Sequence, residues 1–107
     1  MEERIRKAIR IYLENKGFTL YQPLEDADYF IGYDDKDLVF IKYAWTENQI
    51  AFPDEEPIDR AEAERVALAY ICEHPDIETC TLRYDYVTLI RISDSKAVVR
   101  YHKNVLA

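Results

Sequence analysis

The chain has 107 residues, 21 Asp and Glu against 14 Lys and Arg, two histidines and a net charge of −7. That length supports one domain spanning residues 1–107, and a hydrophobic share of 49% excludes a disordered chain. The acidic balance argues against broad, charge-driven binding to DNA, RNA or an anionic membrane.

Other classes fall away on residue content. The opening Met1-Glu2-Glu3-Arg4 carries no apolar h-region, so no signal peptide is expected. No run approaches the ~18 apolar residues of a membrane span, so no membrane partner is expected. Cys72 and Cys80 are the only cysteines and form no C-x-x-C pair. With only His74 and His102 beside them they fall short of a zinc site, and they predict reduced thiols in a cytoplasmic protein.

The spacing of Ile5, Ala8, Ile9, Tyr12 and Leu13 predicts a helix over residues 2–16 with one apolar face. Gly17 supplies the left-handed position that ends it. Residues 18–21 predict a short strand, stopped by Pro23, which lacks a ladder N–H. Residues 27–33 predict a second strand and Asp34-Asp35-Lys36-Asp37 a turn. Residues 38–45 predict a third strand, and its Leu-Val-Phe-Ile start predicts a central strand covered on both faces. The second and third strands then form a hairpin.

Residues 46–57 read as a polar loop with Pro53 and Pro57. Asp59 and Glu62 fit a capping box for a second helix reaching about Glu73. Its buried stripe is Ala63, Val66, Ala67, Tyr70 and Ile71, and His74-Pro75 ends it. Residues 79–92 predict a long strand. Leu82, Tyr84, Tyr86, Thr88 and Ile90 fall on one face, and Arg83, Asp85, Val87, Leu89 and Arg91 on the other. Asp94 and Ser95 turn the chain into a last strand from Ala97 to about Lys103. The order α-β-β-β-α-β-β predicts an α/β fold, a mixed central sheet flanked by helices. A crossover through the second helix sets the fourth strand parallel to a hairpin strand.

The charge is unevenly spread. Residues 1–16 hold five bases and three acids, and residues 83–103 hold five bases and two acids. Residues 25–37 hold six acids and one lysine, and residues 47–64 hold seven acids and one arginine. The ends are mildly basic, therefore, and the middle is acidic. Solvated faces explain this, and so does a dipolar surface with a basic patch for an acidic partner.

Little in the sequence is catalytic by type. Gly17 and Gly32 are the only glycines, so no phosphate loop is possible. No serine stands in a nucleophile elbow. His74 fits a cation at a helix C-terminus better than a catalyst, and His102 is expected at the surface. Asp26 and Asp28, two apart on a strand, share a face and are the candidate ligands for Mg²⁺. Asp34, Asp35 and Asp37 read as turn residues. Tyr84 and Tyr86 alternate with Arg83, which suits packing in a strand and also base stacking.

Several phrases, in order, carry a resemblance over nearly the whole length. They are Ala8…Tyr12-Leu13-Glu14…Lys16-Gly17-Phe18, Asp28 before the hairpin, and Leu38-Val39-Phe40-Ile41. They continue with Ala67…Tyr70-Ile71…His74-Pro75, Arg83-Tyr84-Asp85-Tyr86-Val87 and Val99-Arg100-Tyr101-His102-Lys103-Asn104. Together they resemble the YraN-type family of uncharacterised endonuclease-like proteins. The resemblance implies a restriction-endonuclease-like fold, close to Holliday-junction resolvases, and a magnesium-dependent endonuclease site.

That family site combines a helix glutamate, a Gly-Glu-Ile-Asp phrase and a Glu-x-Lys phrase on the central strand. Acids on adjacent strands clamp the metal, and the lysine polarises a phosphate or water. Here the aspartate matches Asp28, within Glu25-Asp26-Ala27-Asp28. The third phrase falls on Lys42-Tyr43-Ala44, so its acid is replaced by Lys42 and its lysine by Ala44. The helix glutamate falls near Arg6 or Lys7. The stretch 38–45 contains no acid at all, so shifting the match by one residue restores nothing.

The resemblance therefore implies a nuclease-like module with a degenerate metal site, with Asp28 and Lys42 as its vestiges. Such a module is expected to be catalytically inactive and to bind nucleic acid, DNA or RNA, through Arg83, Arg91, Arg100 and Lys103. A second reading is a small interaction or structural protein, a homodimer or the binder of a protein partner, with no nucleic-acid role. A third is an active Mg²⁺-dependent endonuclease with a relocated site on Asp26 and Asp28.

Overall fold

The computed structural model describes residues 2–21, 29–47, 59–77 and 81–106. The elements are α1 (Glu2–Lys16), β1 (Thr19–Leu20), β2 (Tyr29–Asp34), β3 (Asp37–Glu47), α2 (Arg60–Glu73), β4 (Thr81–Ser93) and β5 (Lys96–His102). They follow the expected order and form a five-stranded mixed sheet in the order β1-β2-β3-β4-β5. The β3–β4 pair is parallel and the other three pairs are antiparallel. An antiparallel pair can close through a tight turn, whereas the parallel pair needs the long connection that contains α2.

Alternation along the strands divides the sheet into two faces. Ile5, Ile9 and Leu13 of α1 pack with Phe30, Val39, Ile41, Tyr43, Val87 and Leu89. Ala67 and Tyr70 of α2 pack with Tyr29, Ile31, Leu38 and Phe40. Leu38, Val39, Phe40 and Ile41 are all fully buried, so β3 is covered on both faces as its unbroken apolar run predicts. Each such side chain contributes roughly 1.5–3 kcal/mol by leaving water.

Local signals set most element ends. Gly17, at φ +110°, accepts the left-handed turn after α1, and its N–H bonds Glu14 O at 3.1 Å. The Asp59 carboxylate accepts from the Ala61 and Glu62 amides at 3.0 and 3.4 Å and caps α2. At the other end the His74 N–H bonds Ile71 O at 3.2 Å, and its ring lies 4.1 Å from the Tyr70 ring. The hairpin turn is only Asp35-Lys36, with Asp34 and Asp37 paired across it. Asp35 adopts φ +57°, which Asp tolerates better than most residues.

Several boundaries differ from expectation. β1 is two residues long, because Phe18 turns into the core instead of continuing the strand. β3 runs on through Thr46 and Glu47, since β4 pairs with it as far as Glu47↔Arg91. Val66 and Ile71 of the expected α2 stripe are only partly buried, leaving Ala63, Ala67 and Tyr70 to face the sheet. The predicted loop falls, from residue 48 on, outside the described residues. Among the described residues no helix is long and apolar enough to cross a membrane.

Candidate functional site

The α1 face of β4 carries a charged network. Arg83 and Asp85 are two residues apart, so both point to that face, as do Val87 and Leu89. Asp85 is fully buried, and the Arg83 side chain is only 7% exposed. Arg83 Nε donates to Asp85 Oδ1 at 3.0 Å and Nη2 to Oδ2 at 2.9 Å. Asp85 also accepts from the Tyr101 hydroxyl, and from the Asn104 amide at 2.8 Å.

The hairpin turn completes the network. Parallel pairing sets Val39 beside Arg83 and Asp37 beside Thr81, so the turn carboxylates reach the guanidinium. Arg83 Nη2 lies 2.9 Å from Asp34 Oδ2, and Nη1 lies 3.3 Å from Asp37 Oδ2. Burial opposes the arginine charge, but hydrogen bonds and proximity to Asp85 and Asp34 outweigh it and push its pKa up. Burial raises the Tyr101 pKa, and the hydrogen bond to Asp85 and its charge raise it further, with Arg83 opposing in part. The network is thus a fixed set of charges with its hydrogen bonds filled, which ties the C-terminal strand to the sheet.

The four cations expected at a nucleic-acid surface divide in two. Arg83 is buried against three carboxylates. Arg91 is 16% exposed and pairs with Glu47 at 3.7 Å and with Asp94. Arg100 and Lys103 are exposed on and just after β5. Tyr86 is buried and Tyr84 half-buried, stacked with Phe40 at 6.0 Å, so neither ring lies open for a base.

The sheet's other face has a different character. Register places Tyr29, Lys42, Tyr86 and His102 in one row across β2 to β5. Ala44, Thr88 and Arg100 form the next row, and Thr46, Ile90 and Val98 the one beyond. These three rows hold Lys42, Arg100 and His102 and no acid. The half-buried Lys42 makes no hydrogen bond or ion pair with any described residue. The Thr46 and Thr88 hydroxyls are buried without a hydrogen-bond partner among the described residues. An unmet buried hydroxyl costs about 1–3 kcal/mol.

The positions of the family-type metal site do not fit magnesium. Lys42, Tyr43 and Ala44 offer an ammonium, a phenol and a methyl group, where Mg²⁺ takes carboxylate oxygens. On the α1 side Tyr43 donates to Glu2 Oε1 at 3.3 Å, and the Arg6 guanidinium lies 5.7 Å from the Tyr43 ring centroid. Among the described residues no group of three or more His, Cys, Asp or Glu is arranged to hold a metal. Asp26 and Asp28 lie outside the described residues, as does Cys80. Cys72 is a free, exposed thiol.

Sequence reasoning missed Asp85, Tyr101 and Asn104 as a unit, and Thr46 and Thr88 as orphaned hydroxyls. A signal for the first existed. Arg83 and Asp85 are opposite charges at i, i+2 on a face that continues as Val87 and Leu89, so burying that face requires them to pair. No family model and no curated protein matches this chain.

Proposed function

We propose that this is a non-catalytic module of restriction-endonuclease-like architecture that binds nucleic acid on the α2 side of β3–β5. The order of elements, with three antiparallel-linked strands and a helical crossover to a parallel fourth, supports that architecture. One observation carries the binding surface: Lys42, Arg100 and His102 lie in adjacent rows of one sheet face whose strand positions hold no acid, and Lys42 has no ion partner among the described residues. The overall −7 charge does not oppose this, because much of the acid lies in residues 25–37 and 47–64 and Arg83 absorbs three of the carboxylates. The acid-free stretch 38–45 supports the absence of metal-dependent cleavage.

The test is fluorescence polarisation with single-stranded and branched DNA and RNA at low salt, beside a cleavage assay in Mg²⁺ and Mn²⁺. Binding that weakens with salt is expected, and each of Lys42→Glu and Arg100→Glu should lower the log–log salt slope by about 1. No retention at low salt would overturn the binding, and metal-dependent cleavage would overturn the non-catalytic reading.

One observation favours an interaction role instead. β5 ends the sheet, and Val98 on it is 40% exposed. A stable homodimer in light scattering that ignores nucleic acid would support that reading over the first.

A further inference from the structure

We infer that the outer edge of β5 is the docking site for an extended acidic segment of another protein, which adds to the sheet as a sixth strand. This edge is separate from the nucleic-acid surface and does not rest on that reading. β5 ends the sheet, and among the described elements only β4 pairs with it. From Ala97 to His102 its register with β4 is unbroken, and the one irregularity lies at the hairpin end, between Arg91 and Ser93. In a regular antiparallel strand every second residue turns both its N–H and its C=O away from the neighbour. The outer edge is therefore a regular row of donors and acceptors, which peptide amides match and a phosphodiester backbone does not.

The strand is held in place before any partner arrives. Val99 and Tyr101 pack against the α1-side core. The Tyr101 hydroxyl donates to the buried Asp85, which also accepts from the Asn104 amide at 2.8 Å just past the strand. The cost of ordering thus falls on the incoming segment alone. Edge strands are commonly blunted by proline, by shortness or by a lysine along their middle. β5 has seven residues and no proline, and its lysines stand at or just beyond its ends. Ala97 and Val98 between them are exposed, and Arg100 is already engaged within the protein.

Charge selects the occupant. Residues 96–103 hold Lys96, Arg100 and Lys103 and no acid. Lys96 and Lys103 are exposed and make no ion pair with any described residue. A second copy is a poor match, because within 96–103 no register of the strand against itself gives either lysine an acid. Two-fold antiparallel pairing centred on Val98 sets Lys96 opposite Arg100, and like charges directly opposite destabilise a strand pair. An acidic strand removes that repulsion. At roughly 3.3 Å per residue the two lysines stand about 23 Å apart along the edge. The matching segment therefore carries an acid near each end and small or β-branched residues opposite Ala97 and Val98.

The experiment uses an end-capped eight-residue peptide with glutamate at both ends and alternating valine and threonine between. The control peptide has lysines in place of the glutamates. NMR titration of the full chain is expected to shift the amides of residues 97–102, with the acidic peptide bound about tenfold tighter than the control. Lys96→Glu combined with Lys103→Glu should weaken the acidic peptide about tenfold, and melting curves exclude loss of fold as the cause. N-methylation separates strand addition from charge attraction. Only alternate peptide amides face β5, so methylating one alternate set should abolish binding and methylating the other should preserve it. No shift along β5, equal binding of the two peptides, or an equal effect of the two methylated sets overturns the proposal. A stable homodimer whose β5 amides are protected from exchange also overturns it, by making a second copy the occupant.

Discussion

Arg83 and Asp85 close a two-point ion pair within a single strand, Nε to Oδ1 at 3.0 Å and Nη2 to Oδ2 at 2.9 Å. Residues at i and i+2 share a face, so the pair is built from one strand without help from tertiary contacts. The tertiary structure then adds Asp34 and Asp37 from the hairpin and the Tyr101 hydroxyl and Asn104 amide from the C-terminal segment. The fully buried carboxylate thereby joins three parts of the chain.

Removing that carboxylate leaves a buried guanidinium with only the two half-exposed turn acids. Asp85→Ala is therefore expected to destabilise the fold by about 3–5 kcal/mol. Urea denaturation followed by circular dichroism measures it. A loss below about 1 kcal/mol, the value of an exposed pair, would mean that the network is not buried in solution.

Tyr101 makes the stability pH-dependent at the alkaline end. Its pKa is raised by burial and by Asp85, so the folded state holds the phenolic proton more tightly than the unfolded chain. That stability is complete below the unfolded value of about 10 and is lost as pH rises above it. Burial raises Tyr70 and Tyr84 in the same direction. The melting temperature should fall above about pH 10, and Tyr101→Phe should flatten that fall while lowering stability at neutral pH by about 1.5–3 kcal/mol. A steeper alkaline fall in the phenylalanine variant would contradict this.

Gly32 is needed because β1 crosses close to it. A Cβ there would meet Thr19 O at 2.7 Å and Leu20 Cδ2 at 2.9 Å. A backbone oxygen cannot rotate away, so Gly32→Ala should cost about 1–3 kcal/mol and release β1 first. Hydrogen exchange at the Tyr21 amide, which bonds Ile31 O at 2.8 Å, reports that release. Unchanged protection there would show that β1 moves freely enough to absorb the methyl group.

Thr88→Val measures what the buried hydroxyl costs the fold. The valine keeps the shape and removes the orphaned hydroxyl, so the free protein should gain about 1 kcal/mol in chemical denaturation. A hydroxyl serving only stability would give the opposite sign.

The amino-acid sequence by itself determined the order and identity of the elements. Helical spacing of Ile5, Ile9 and Leu13, the unbroken Leu38–Ile41 run and the alternation of apolar and charged residues along 82–86 are local patterns, and local patterns report backbone period and sidedness. The mixed sheet with its parallel β3–β4 pair followed from the helix between them. Only the tertiary structure decided what each face meets. Nothing in Asp34 or Asp37 marks them as partners of Arg83, because their proximity comes from the parallel pairing of β3 with β4, which brings Arg83 to Asp37 from 46 residues away in sequence. Nor does Ala44 announce that Lys42, Thr46, Thr88 and Arg100 surround it, since three strands must first come into register. Cations that look alike as sequence, Arg83 and Arg100, end on opposite faces, one buried among acids and one exposed, because position along a strand sets direction and only packing sets the neighbours.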